Sequence, residues 1–242
     1  MKKNFFGLSI LSLLLLAACT QAPESDKAKT SEAQEVTTPA GGETWMVDAT
    51  ASKMEWIGTK VSGYHTGVVP IKSGELKVEN GSLTGGRFVI DMSNLDVVGP
   101  ASVDAESSGK LEGHLKSPDF FDVATYPDAT FEVTSVTPFA GTPTAEQDDP
   151  RQQEISEYKV ANPTHTVSGN LTLKGMTKNV EFPAQITMSG NTLDAVAKFN
   201  IDRSQWNITY PGKPDDLIRN EIHIGLSIRA SKAAEEASSQ PQ

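Results

Sequence analysis

The chain has 242 residues, with 21 Lys and Arg against 31 Asp and Glu and a formal net charge of −10. A balance this acidic argues against nucleic acid or anionic lipid headgroups as partners, and in an exported domain it favours solubility. Cys19 is the only cysteine, so no internal disulfide can form and the fold must stand on its hydrophobic core.

Lys2 and Lys3 precede an apolar run from Phe5 to Ala18 that ends in Leu16, Ala17, Ala18 and Cys19. A charged start, an apolar middle and a small-residue cleavage site predict an export leader over residues 1–18. The run is shorter than the ~20 residues that span a bilayer. The LAAC string resembles the lipobox at which bacterial lipoproteins are acylated and cut. The mature chain is therefore expected to begin at Cys19 and to be held at a membrane by lipid on that residue, two acyl chains being enough for stable anchoring. Thr20 stands where some bacteria use an aspartate to retain lipoproteins in the inner membrane. The expected location is the bacterial cell envelope, at the outer membrane facing the periplasm.

Residues 19–43 are poor in large apolar side chains and rich in Ala, Ser, Thr, Glu, Lys and Pro, which predicts a flexible tether with a reach of about 25–30 Å. Residues 231–242 form a second polar stretch, expected as a disordered tail. Between them, residues 44–230 suit one domain.

Within that domain the apolar period is close to two. Phe88, Ile90 and Met92 alternate with Val89 and Asp91, and Ile222, Ile224, Leu226 and Ile228 alternate with His223, Gly225 and Ser227. The same alternation recurs near Phe131, Leu171 and Phe182, and again from Leu193 to Ile201, so the domain is read as mainly antiparallel sheet. Asn80-Gly81 and Ser189-Gly190-Asn191 fall between such runs and predict hairpin turns. The exception is Asp104–Lys116, where Leu111 and Leu115 stand four apart and predict one short helix, with Ser117-Pro118 opening a further helical turn. Residues 138–162 carry Asp148-Asp149-Pro150 and predict a long acidic surface excursion. Pattern alone leaves a closed barrel and a two-sheet sandwich both open.

The segments LKSPDFFDVATYPDATFEV, from Leu115 to Val133, and VSGNLTLKGMTKNVEFP, from Val167 to Pro183, resemble the signature segments of the YceI-like, polyisoprenoid-binding, lipocalin-like family. The resemblance spans about Trp45 to Ala230. It implies an eight-stranded antiparallel barrel with one short helix, enclosing an apolar tunnel for a polyisoprenoid or other long-chain lipid. An eight-stranded barrel is wide enough to hold either its own side chains or one small ligand. The inward faces place Trp56, Phe88, Phe131, Leu171, Phe182, Ala197, Phe199 and Trp206 on the expected lumen, with the small residues Ala195, Ala197 and Gly169 leaving room. Phe120, Phe121 and Tyr126 are expected either at the mouth or as staples between helix and barrel.

The four histidines, His65, His114, His165 and His223, lack the short spacings of metal sites, and His223 should point away from the lumen. No serine sits in a G-x-S-x-G setting and no cofactor motif occurs. Asp202 and Arg203 are expected as a structural ion pair at a strand end or as a headgroup orienter, with Arg87 and Lys174 open to the same two readings. Asn80, Asn170 and Asn207 each open an N-x-S/T string that carries no meaning behind a bacterial lipobox. The expectation is a non-enzymatic lipid carrier or sequestering protein without metal or cofactor. The alternatives are an interaction or adhesion module with a filled barrel, and an enzyme acting on a bound lipid.

Overall fold

The computed structural model describes residues 21–36, 42–141 and 157–233. The predicted leader with Cys19, the centre of the acidic excursion and most of the C-terminal tail lie outside the described residues.

Twelve strands occur among the described residues: β1 (Lys29–Glu32), β2 (Glu43–Val47), β3 (Lys53–Lys60), β4 (Gly63–Glu79), β5 (Ser82–Asp91), β6 (Asp96–Gly99), β7 (Asp128–Pro138), β8 (His165–Leu173), β9 (Met176–Ser189), β10 (Thr192–Asp202), β11 (Gly212–Lys213) and β12 (Asp216–Lys232). Eight staves close a barrel in the order β9, β10, β12, the short strands β2 and β3 that share one stave, β4, β5, β7 and β8, and β8 returns to β9. Every stave-to-stave pairing is antiparallel. Closure removes the free edges that an open sheet of this size would expose. The barrel is the outcome that periodicity left open and the resemblance implied.

Two-residue turns set the register. Asn80 and Gly81 have φ of 50° and 74°, and Lys174 and Gly175 have φ of 50° and 72°. These values twist with the flanking strands and favour Asn and Gly for that reason. The first of these hairpins was predicted; Lys174-Gly175, between β8 and β9, was not. The helix α1 (Ala105–Lys116) begins where predicted, with the Asp104 carboxylate accepting a hydrogen bond from the Ser107 N–H at 2.8 Å. Residues 117–122 do not continue as a helical turn. They form successive tight turns, with Phe120 N–H donating to Ser117 O and Phe121 N–H to Leu115 O.

The segment expected to be a free tether is in part fixed to the barrel. Strand β1 pairs with β9, and Asp26 and Ala28 exchange backbone hydrogen bonds with Asn200. The Asn170 side chain holds the backbone of Gln34 from both sides, accepting from its N–H at 3.0 Å and donating to its carbonyl at 2.7 Å. Asn179, Ser168 and Thr134 complete that network on the outer face of β7, β8 and β9. Composition misled here because the surface that receives this polar segment is itself polar. The bonding is backbone pairing and amide contacts rather than apolar burial, and a tether prediction tests only the latter.

The candidate lumen site

The barrel interior divides into two halves. Trp45, Leu76, Leu83, Ile186, Leu193 and Ala230 are buried together in one half and leave it filled. The other half encloses a cavity of about 330 Å3. Long strands cross from one regime to the other: β7 lines the cavity with Ala129 and Phe131 but not Val133, and β9 with Val180 and Phe182 but not Ala184. Between the halves runs a chain of aromatic contacts, Phe88 to Phe131 (5.3 Å between ring centroids), Phe131 to Phe182 (5.7 Å) and Phe182 to Phe199 (4.1 Å, stacked). This aromatic layer is the cavity floor. Contacts of this kind are worth ~0.5–1.5 kcal/mol beyond area burial, so the floor is stiff as well as apolar.

Leu111 and Leu115 of α1, with Phe120 and Phe121 from the turns that follow, cover the opposite side. These two phenylalanines therefore do both things expected of them, joining helix to barrel and lining the space. Tyr126 does neither and lies against Gly175, where an added Cβ would stand 2.6 Å from its ring.

Of the eight residues predicted to line the lumen, Trp56, Phe88, Phe131, Leu171, Phe182 and Phe199 do so. Ala197 and Trp206 do not. Ala197 is buried one pleat beyond Phe199, on the filled side of the floor. Trp206 has no exposed surface and donates its indole N–H to the Leu171 carbonyl at 3.0 Å, packing as a structural anchor after β10. Gly169 does not create room either. A Cβ there would lie 2.2 Å from Phe131 Cζ, so the glycine is filled by the floor itself. Inward parity was legible in the sequence, but height along the barrel axis was not, because it depends on strand stagger.

The cavity lining turns polar between the β3–β4 hairpin and the segment 210–216. The Lys60 ammonium meets the Asp216 carboxylate at 2.6 Å, and Asp216 also accepts from the Ser62 N–H at 2.9 Å. These hydrogen bonds, Lys60 first, hold the Asp216 carboxyl down at about 2, so Asp216 is a carboxylate that ties the hairpin to β12. Arg203 is buried, and it is not paired with Asp202. Its guanidinium donates to the carbonyls of Arg219, Ile208, Tyr210 and Ile218 and lies 5.9 Å from the centre of the Phe120 ring. Burial lowers its pKa from the usual arginine range. Asp202 instead caps Ser204. Arg87 is exposed, and Lys174 donates to the Pro118 carbonyl; neither reaches the cavity. Among the described residues no three His, Cys, Asp or Glu side chains come together as a metal-binding set.

A closed antiparallel barrel, floored with aromatics and hollow at one end, defines a class of barrel proteins with an internal apolar cavity. The model of the YceI-like domain matches residues 45–230, and the chain belongs to that family. Among curated proteins, a UPF0312 protein of Yersinia enterocolitica is 29% identical over 143 residues; these make up 57% of this chain and 61% of that protein, so the match spans less than two thirds of the relative's length. Two solved structures share the fold. BcnA of Burkholderia cenocepacia has a TM-score of 0.56 and 21% identity, covering 76% of this chain and 99% of its own. A polyisoprenoid binding domain from Saccharophagus degradans, implicated in plant cell wall breakdown, has a TM-score of 0.54 and 15% identity, covering 80% of this chain and 100% of its own.

Proposed function

We propose that this protein is a lipid-anchored component of the bacterial cell envelope that carries or sequesters a polyisoprenoid, or a similar long apolar lipid, in its barrel. The observation that carries this reading is the half-hollow interior. A cavity of about 330 Å3 lies within the ~300–1,000 Å3 that small-molecule sites occupy, and its walls are apolar except at one corner. The polyisoprenoid-binding domain that shares the fold supports the ligand class. An interaction module with a filled barrel accounts for only one of the two halves.

The surroundings of the mouth fit exchange at a membrane. Val61, Tyr64 and Leu217 are large apolar side chains left exposed beside the polar corner, and Val61 N–H donates to Leu217 O at 3.1 Å. Shielding a carbon from water is worth ~0.8 kcal/mol, but a lipid leaving a bilayer was already dry. The cavity therefore gains little by extraction and acts mainly against release into water.

Mass spectrometry of an organic extract from natively purified protein tests the ligand. The expected result is a long apolar lipid, chemically unchanged and near one per barrel; an extract without lipid, or turnover of a bound ester or isoprenoid, overturns the reading. The anchor is tested separately. Cys19→Ser should abolish acylation and release the protein from membranes, and equal membrane retention of mutant and wild type would sink it. Fractionation with the outer rather than the inner membrane is the expected sorting.

A further inference from the structure

The ladder between β9 and β10 stops short. It ends where Ala184 stands opposite Ala197, and the next residue of β9 toward the cavity is Pro183, which has no N–H to donate. Past that point lie Val180 and Phe182 on β9 and Phe199 and Ile201 on β10, all four on the cavity. The two staves are therefore joined along the filled half and part along the hollow one.

The segment ahead of the barrel takes up the gap. On one side Lys29, Thr30, Ser31 and Glu32 stand opposite Glu181, Val180, Asn179 and Lys178 of β9. On the other, Lys27 bridges in parallel to Asn200 of β10, with the Ala28 N–H donating to the Asn200 carbonyl at 2.9 Å and the Asn200 N–H to the Asp26 carbonyl at 2.8 Å. A strand bonded along both edges holds its neighbours two spacings apart, roughly 9–10 Å. Ala28 packs against the core, and Val180, opposite Thr30, is left only 1% exposed.

Little apolar surface holds this segment in place. The exposed side chains of Lys27, Lys29 and Glu32 pair with Glu221, Glu181 and Lys178, and the buried amides of Asn170 and Asn200 bond to the backbone of Gln34 and Pro23. Exposed ion pairs add little, and water takes over hydrogen bonds of this kind at small net cost, so the segment can leave while the barrel stays folded. We propose that residues 26–32 are a detachable strap that seals the lipid cavity from the side. The proposal rests on the lipid-binding reading above and adds what retains the ligand: with the strap lifted, the gap beside Phe182 and Phe199 is a second way out. It also makes a segment ahead of the matched domain, residues 45–230, part of the ligand site.

Transfer of geranylgeraniol from the loaded full chain to phosphatidylcholine vesicles tests the seal, with Cys19→Ser in place throughout so that no lipid anchor contributes. Ala28→Pro deletes the N–H that bonds to Asn200 and should release the alcohol about tenfold faster, the effect of removing roughly one hydrogen bond from the closed state. Adding Lys29→Cys and Glu181→Cys to that variant, and oxidising the two thiols to a disulfide, should bring slow release back until a reductant cuts the bond. Hydrogen exchange on the chain without Ala28→Pro should show the Ala28 and Asn200 amides exchanging about tenfold or more ahead of those from Leu193 to Ala197, where β9 and β10 remain paired. The exchange measurement decides even if a variant fails to fold. Release unmoved by Ala28→Pro or by the disulfide, or equal protection of the two sets of amides, overturns the strap. A chain that takes up no geranylgeraniol before any change to β1 overturns the lipid-binding reading itself; uptake followed by release at one rate, with or without the strap's bonds, overturns only the strap.

Discussion

At the scale of single residues, the decisive positions are those where two side chains of the same parity meet different surroundings. Phe199 and Ala197 both face inward on β10, yet Phe199 lines the cavity and Ala197 is packed beyond it. Ala197→Phe should therefore overpack the filled half and destabilise the lipid-free protein by about 1–3 kcal/mol, measured by urea unfolding. Unchanged stability with loss of bound lipid would instead place residue 197 in the cavity. Six lining residues were legible because aromatic and branched side chains at period two must turn inward. Arg203 was read as half of an ion pair because a basic residue beside an acidic one is the simplest pattern available. Its four carbonyl partners come from segments 5–16 residues away in sequence, which no local pattern encodes.

At the scale of elements, the segment ahead of the barrel changes the environment of the outer wall. His223 faces away from the lumen, as its alternation with Ile222 and Ile224 implied, but it is 4% exposed. Its Nδ1 lies 2.9 Å from Asn200 Oδ1 and its ring meets Tyr158 edge-on, while Asn200 Nδ2 donates to the Pro23 carbonyl. Burial, with a smaller contribution from the Lys198 charge, pushes the His223 pKa down to about 4. The folded value is depressed below the ordinary 6.5, so the unfolded chain takes up a proton first as pH falls. His223 should then cost no stability above about pH 6.5, a growing amount between 6.5 and 4, and a constant amount below, up to about 3 kcal/mol. His223→Gln should flatten that part of the profile in unfolding measurements at pH 7, 5 and 4; an unchanged profile would mean that the ring is already solvated. The strands and the helix were legible because period and capping are local. The covering of His223 was not, because it joins residues 23 and 158 to residues 200 and 223.

At the scale of the whole molecule, a cavity with a fixed floor measures the length of what enters it. Each carbon that moves from water into the cavity gains ~0.8 kcal/mol, and a carbon left outside gains far less. Affinity for a series of prenyl alcohols should therefore rise steeply with chain length and then level off once the chain meets Phe182 and Phe199. Replacing Phe199 with Leu should move the plateau to longer chains, at some loss of stability from the cavity created. A steady rise without a plateau would show that the floor yields. The attachment of residues 23–36 to the outer wall bears on how such a molecule meets its source of lipid. Pro23 is bonded to Asn200 on β10, and Cys19 precedes it by only four residues. At ~3.3–3.6 Å per residue, an acyl group on Cys19 would be at most about 14 Å from that fixed point, half the reach expected of a free tether. The anchor proposed for Cys19 would then work as a pivot rather than a leash: a barrel so held would roll about one spot on its wall, and the rate at which its open end touched a bilayer would be set by rotation, not by wandering.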